Sequence, residues 1–389
     1  MSNYGQIVGG RVLTGYGVGA LSGLVPVYQA EASPPHLRGL ITGSFQGCVT
    51  LGIFLANATN AGMKNYVGAV SWRVPIAIQS VQFIHSSGPA CRSHTNADVR
   101  FLFRLVWGFL LFIGFALSPE SPSYFAKKGE FEKSKNAIAR LRGLDQDDLA
   151  VEAALEAIKV RQAQEASLGE SSYRELFSHK DRIAFRTLIG CLLQIGQQTS
   201  GINFFFSYGV QFFQSSGITD PYVTQIILSA VNLVMTFPGM WIVYKFGRRE
   251  VLLVGAIVMF IGQIVTGAIG TALPGQETSG KVLIAFSCIF VAGFATTWGP
   301  VVWVVAGETF PTRMSAKCVT LATASNWAVN TVIAFVVPII VQSDGANLGP
   351  KICFVWAGFI AFSFVFTLFY VPETKGLSIE QIDELYAAQ

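Results

Sequence analysis

The stretch Leu192-Leu-Gln194-Ile-Gly-Gln197-Gln198-Thr-Ser-Gly201-Ile-Asn203-Phe-Phe-Phe206 decides how this chain is read. Water-soluble proteins keep side-chain amides on their surface. Here the amides follow Leu188, Ile189, Leu192 and Leu193 and precede three phenylalanines. An amide in a lipid-bound helix is costly unless it faces a partner or a water-filled cavity. Gln194, Gln197, Gln198 and Gly201 stand at i, i+3, i+4 and i+7 and so share one helical face. That face reads as the lining of a pathway for a neutral, hydrogen-bonding solute.

Composition agrees. Of 389 residues, 51% are hydrophobic and 13% charged, whereas soluble domains carry about 25% charged residues. Such a chain cannot cover a water-facing surface, which makes it a membrane protein. The net charge of +4 comes from basic residues between apolar segments, not from a nucleic-acid stripe, and no nucleic-acid partner is expected. Cys48, Cys191, Cys288, Cys318 and Cys353 lie in apolar stretches without metal-ligand spacing and read as packed thiols. No cleavable signal is evident over Met1–Arg11.

A span needs about twenty mostly apolar residues. Segments 7–29, 40–62, 188–212, 223–244, 251–273, 282–306, 318–341 and 352–371 qualify, with one more near 106–118, giving nine expected spans. Basic residues set their orientation. His36 and Arg38, the Lys127–Arg142 cluster, Lys245 with Arg248 and Arg249, Arg313 with Lys317, and Lys375 follow alternate spans. The loops between (60–71, 213–222, 274–281, 342–351) carry only Lys64, Lys281 and Lys351. The basic loops and the C-terminus are therefore cytoplasmic. The first span then begins outside, which hints at helices missing before it.

The chain divides into 1–118, a first membrane half; 119–182, a cytoplasmic helical linker; 183–371, a second, six-helix half; and 372–389, a cytoplasmic tail. Within the first part, 81–105 carries His85, Arg92, His94, Asp98, Arg100 and Arg104 between the apolar pieces 74–80 and 106–118, which together have the length of one span. The stretch reads as an insertion of whole codons into a membrane helix, as a retained intervening sequence would leave. The alternative is an extracellular loop, with the helix rebuilt from 99–117.

Several short strings then converge. Gly10-Arg11 opens the first span, and Pro26-Val-Tyr-Gln-Ala-Glu31 with Leu37-Arg38-Gly39 closes it. Pro119-Glu120-Ser-Pro122 follows the third span. Gln197-Gln198-Thr-Ser-Gly201-Ile-Asn203 lies in the fourth, and Gly247-Arg248-Arg249 follows the fifth. Gly299-Pro300, Trp303 and Glu308-Thr-Phe-Pro-Thr-Arg313 belong to the seventh, and Pro372-Glu373-Thr-Lys375-Gly376 follows the ninth. In this order the strings resemble the sugar porter family of the major facilitator superfamily, most of all its fungal hexose transporters. The resemblance covers the chain except 81–105.

That resemblance implies an all-α bundle of two six-helix halves. The match begins at the family's fourth helix, so about nine helices are expected here, with the first three absent. A chain so shortened is not expected to transport by itself. The resemblance also implies a monosaccharide cargo, such as glucose, carried by alternating access. Proton coupling belongs to some members, through an acidic residue of the first helix that has no counterpart here. Gln197, Gln198 and Asn203 match the family's sugar contacts in helix seven, Asn232 the one in helix eight, Trp303 the helix-ten tryptophan, Asn326 and Asn330 those of helix eleven, and Gln46 the helix-five glutamine. Side-chain amides both donate and accept, as sugar hydroxyls do. The bland reading of each amide is a helix-to-helix hydrogen bond that only packs the bundle.

By the same resemblance Glu31, Arg38, Glu120, Arg248, Arg249, Glu308, Arg313 and Glu373 belong to ion pairs that latch the halves at the cytoplasmic side. Three departures weaken that latch. Ser123 replaces the usual Arg after Pro119-Glu-Ser-Pro122, Tyr244 stands where an acidic residue commonly precedes Lys245, and the first half's own Gly-Arg-Arg loop is missing. Trp298, Trp327 and Trp356 read as packing or interfacial anchors, and Phe204–Phe206 with Tyr208 as an outer gate or as packing. Asn57-Ala-Thr59 fits a glycosylation triplet but sits too close to the end of a span to persuade. No nucleophile–base pair, metal cluster or phosphate loop stands out, so no enzyme and no cofactor are expected. The expected location is a membrane, the plasma membrane in particular. The rival readings are a non-transporting sugar sensor of the same fold and an inactive product.

Overall fold

The structure is a computed structural model that describes residues 4–33, 38–63, 119–168, 172–178, 182–215, 220–273, 277–310, 314–341 and 348–375, with residues 377, 381–382 and 385–386 of the tail. The expected span near 106–118, the stretch 81–105 and Arg313 lie outside the described residues, as do the side chains of Glu31 and Arg38. The described chain is helical, with no strand among the described residues.

The contacts divide the chain into two units. One comprises residues 1–24 and 62–170, the other residues 25–61 and 171–389. Helix α1 (Tyr4–Ala32) runs through the boundary between them.

In the first unit, short helices α3 (Pro122–Lys127), α4 (Phe131–Arg142) and α5 (Leu149–Leu168) form the polar linker. Pro122 opens α3 at a position where its missing N–H costs nothing. Gly143 closes α4 in the left-handed conformation, φ 65°. Ile138, Ala139, Val151 and Leu155 form a small core between α4 and α5. Lys135 adds ion pairs to Asp147 at 3.2 Å and Glu152 at 3.6 Å.

The second unit holds α2 (Arg38–Met63) as far as Ala61, α6 (Ile183–Thr199), α7 (Ile202–Ser215), α8 (Pro221–Lys245), α9 (Arg248–Ala272), α10 (Glu277–Thr296), α11 (Trp298–Glu308), α12 (Ser315–Val341) and α13 (Ile352–Tyr370). Asp220 caps α8 by accepting from the Val223 amide at 3.3 Å, just before Pro221. Pro238 and Pro338 sit inside α8 and α12. Membrane helices tolerate such prolines because neighbours satisfy the freed backbone groups.

Among the described residues six segments are long and apolar enough to cross a membrane: 40–62, 221–245, 248–272, 278–308, 315–341 and 349–370. The expected span 7–29 forms α1 but is not among the six. The expected span 188–212 is broken into two helices, α6 and α7. Gly201 stands between α6 and α7 at φ +89°, a conformation that side chains with a Cβ rarely adopt. A Cβ there would lie 2.6 Å from Trp356 Cγ, so nothing larger than glycine fits. The span 282–306 is interrupted as well, at Thr297 (φ −129°, ψ −83°) between α10 and α11.

The core of this unit is aromatic. Phe204, Phe205, Phe212, Phe213 and Phe290 are buried, with ring centroids 5.2–6.3 Å apart and mostly edge-on. Packing, rather than an open mouth, is therefore where Phe204 and Phe205 stand. Trp298 and Trp356 are buried as expected, while Trp327 is exposed. Cys318 and Cys353 are packed, Cys191 and Cys288 are half-buried, and Cys48 is exposed on α2.

Candidate functional site

The two helix breaks face each other through side-chain amides. Gln197, on the last turn of α6, donates from Nε2 to the carbonyls of Trp298 (2.9 Å) and Gly299 (3.1 Å), just beyond the break at Thr297. Its Oε1 accepts from Asn326 Nδ2 of α12 at 3.0 Å. Asn326 Nδ2 also donates to Gln194 Oε1 at 2.7 Å. Gln198 Nε2 donates to Asn326 Oδ1 at 2.6 Å. Gln198 Oε1 accepts from Asn330 Nδ2 at 3.2 Å and from Asn203 Nδ2, across the Gly201 break. Gln194, Gln197, Gln198 and Asn326 are all buried.

Five sequence-predicted residues thus meet in one network: Gln197, Gln198, Asn203, Asn326 and Asn330. Each net hydrogen bond among them contributes only about 0.5–1.5 kcal/mol. A polyol whose hydroxyls donate and accept can exchange amide–amide bonds for amide–hydroxyl bonds at small net cost.

The other three predicted contacts lie around this network and make no hydrogen bond to it among the described residues. Gln46, buried on α2, approaches Gly299, with its Nε2 3.4 Å from where a Cβ on that glycine would lie. Trp303 of α11 is 9% exposed and packs edge-on against Phe45 at 5.5 Å. Asn232 of α8 is buried, and its Oδ1 has no hydrogen-bond partner among the described residues.

Sequence reasoning placed Gln194 on the shared face but gave it no contact. In the structure its Nε2 is a buried donor without a partner among the described residues. Two more buried amides were missed. Gln263 Nε2 of α9 donates to the Ser200 carbonyl at 3.1 Å and so steadies the break. Gln225 Nε2 of α8 donates to the carbonyls of Phe205 (2.9 Å) and Phe206 (3.2 Å). Both lie among apolar residues of their helices, where an amide must find a partner, and that was the signal available.

At the start of α9 and the end of α11, Arg248 grips Glu308 in a two-pronged pair, Nη2 to Oε1 at 2.8 Å and Nε to Oε2 at 3.1 Å. Glu373 caps α9 by accepting from the backbone amides of Arg248 (2.9 Å) and Arg249 (3.0 Å). A carboxylate there also complements the helix dipole. Arg249 Nη2 donates to the Leu368 carbonyl at 2.6 Å. All these partners lie between residues 248 and 373, so the contacts bind the ends of one half to each other. Glu120, exposed before α3, belongs to the other unit.

Arg186 was also missed. It is buried at the base of α6, donates from Nε to the Thr309 carbonyl at 2.7 Å, and lies 4.7 Å from the ring centre of Tyr386. Ile382 and Tyr386 anchor the tail in the core. Burial pushes the Tyr386 phenol up to about 12, so it stays neutral.

Membrane-length helices, two of them broken at facing points and joined there by buried amides, define a polytopic membrane protein of the major facilitator bundle type. The family model described as "Sugar (and other) transporter" matches residues 1–86 and 90–386, and so takes in most of 81–105, which the resemblance was expected to leave out. The chain belongs to that family. It is 37% identical to the "High glucose sensor RGT2" of Saccharomyces cerevisiae over 98% of this chain and 47% of that protein. It is 34% identical to the "Hexose transporter HXT10" of the same yeast over 97% of this chain and 65% of that protein. The chain therefore spans about half to two thirds of the length of these relatives. Among solved structures, the proton:xylose symporter XylE bound to 6-bromo-6-deoxy-D-glucose superposes with a TM-score of 0.71 at 25% identity, covering 94% of this chain and 70% of that one.

Proposed function

We propose that the protein carries a neutral monosaccharide, a hexose such as glucose, across a membrane by alternating access. The observation that carries this reading is the buried amide network joining α6, α7 and α12 where two helices break. A charged cargo would call for a charged partner, and the network consists of uncharged amides. Discontinuous helices at a central site are how many carriers expose backbone and side-chain groups to a solute. The sugar-transporter family and the hexose-transporting relative support the cargo class.

In this reading Gln197, Gln198, Asn203, Asn326 and Asn330 contact the sugar hydroxyls. Asn232 and Gln46 add contacts from α8 and α2, and the Trp303 ring lies against the apolar C–H face of the sugar. The Arg248–Glu308–Glu373 cluster keeps the cytoplasmic ends of α9 and α11 together, and Glu31, Arg38, Glu120 and Arg313 complete a latch when the inner side closes. The plasma membrane is the proposed location. Proton coupling, as in the proton:xylose symporter XylE, is the proposed alternative to facilitated passage.

The test is uptake of labelled glucose after expression of the whole locus in a host lacking its own hexose transporters. Uptake above the empty host is expected, and its absence at normal surface expression contradicts the reading. The likeness to a glucose sensor favours a second reading, in which the same site binds glucose but moves none. Glucose-dependent signalling without uptake would select it.

A further inference from the structure

We propose that Asn57 and Ser229 form an outer latch, a hydrogen bond that holds the pathway shut on the extracellular side. The proposal rests on the alternating-access reading for its role but not for its geometry. Asn57 Nδ2 of α2 donates to Ser229 Oγ of α8 at 2.6 Å. Ser229 Oγ in turn donates to the Gln225 carbonyl at 2.7 Å, one turn earlier in α8. The hydroxyl proton is thus committed to the helix, which turns a lone pair toward Asn57. Ser229 is fully buried, so water does not compete for that lone pair.

The position of this bond gives it a consequence. Helix α2 precedes the polar linker and α8 follows it, 172 residues apart in sequence. The two helices also approach at their other ends, where a Cβ on Gly43 would lie 3.5 Å from Met240 Cγ. Residue numbers rise along α2 as they fall along α8, so the helices pack antiparallel. By the distribution of basic residues, Met63 and Pro221 mark their outer ends. Asn57 and Ser229 stand about 9–12 Å inside those ends at a rise of about 1.5 Å per residue. Any rocking that parts the outer ends of α2 and α8 must break this bond, whereas the contact at Gly43 is apolar and without direction.

The same contact answers the Asn57-Ala-Thr59 triplet. The amide nitrogen that a glycan would occupy is donated into the bundle, so the residue serves packing between the two sides of the chain rather than modification.

The test uses the full chain with its native cysteines replaced and Thr224→Cys as a reporter. Thr224 is buried, about one turn outside Ser229. Its labelling by a membrane-impermeant maleimide is timed with Asn57→Ala, with Ser229→Ala, and with both. Ser229→Ala removes a single oxygen and keeps the helix intact. Each single substitution is expected to speed labelling about two- to tenfold, the worth of one neutral hydrogen bond. The pair is expected to do no more than either alone. Unchanged rates, or single effects that multiply in the pair, overturn the latch. So does an endoglycosidase-sensitive mobility shift that Asn57→Ala abolishes. Labelling requires no transport, so failure of glucose uptake would sink the proposed function while leaving the latch to be decided by the labelling rates.

Discussion

Gln198 and Asn326 hold each other across α6 and α12, the Gln198 amide donating to Asn326 Oδ1 at 2.6 Å while Asn326 returns its own protons to Gln194 and Gln197. Asn326 is the hub of the network, because three glutamines of one helix depend on a single side chain of another.

Removing the hub leaves buried groups without partners. Asn326→Ala strips Gln194 Oε1, Gln197 Oε1 and Gln198 Nε2 of hydrogen bonds. Each buried orphan costs about 1–3 kcal/mol. Thermal unfolding in detergent should show a loss of at least that size, and an unchanged midpoint would show that the amides find other partners.

Gly201→Ala tests the break between α6 and α7. A non-glycine residue at positive φ costs about 1–2 kcal/mol, and the new Cβ would press on the Trp356 ring. The control is Gly307→Ala on α11, where nothing lies within 4 Å of an added Cβ. A compatible helical site gains about 0.4–1 kcal/mol from that change. Unfolding midpoints should move in opposite directions, and a matched response would remove the special role of Gly201.

Glu373 satisfies two backbone amides at the start of α9 and that of Lys375 at 2.9 Å. Losing a helix cap costs about 0.5–2 kcal/mol. Stability measured by chemical denaturation should fall in the order Glu, Gln, Ala at position 373, because Gln keeps one acceptor oxygen. Equal stability for all three would mean that water caps the helix as well.

A spliced transcript should join the codon for Ser80 directly to that for Val106. Sequencing mature message tests this, and message retaining the codons for 81–105 would establish that stretch as part of the protein.

Much of this architecture was legible because its physics is one-dimensional. Length and apolarity gave six of the nine expected spans, and the spacing of Gln194, Gln197 and Gln198 gave a polar face. What periodicity could not show was the break at Gly201, since an apolar stretch reads as one helix whether or not a positive φ interrupts it. Nor could it show that Gln197 reaches the carbonyls of Trp298 and Gly299, about a hundred residues later. Partners so distant in sequence are set by packing. The same holds for Arg186, a cation at the foot of α6 whose ring partner Tyr386 lies in the tail.

The central claim is that uncharged amides at the helix breaks bind a sugar. Its most direct test is equilibrium binding of glucose to the purified, full-length carrier, compared with Gln197→Ala, Gln198→Ala and Asn203→Ala. Each lost hydrogen bond of about 0.5–1.5 kcal/mol should weaken binding about two- to tenfold, and the triple substitution by more than any single one. Glucose affinity unchanged in the triple variant, with its fold intact, would contradict the account.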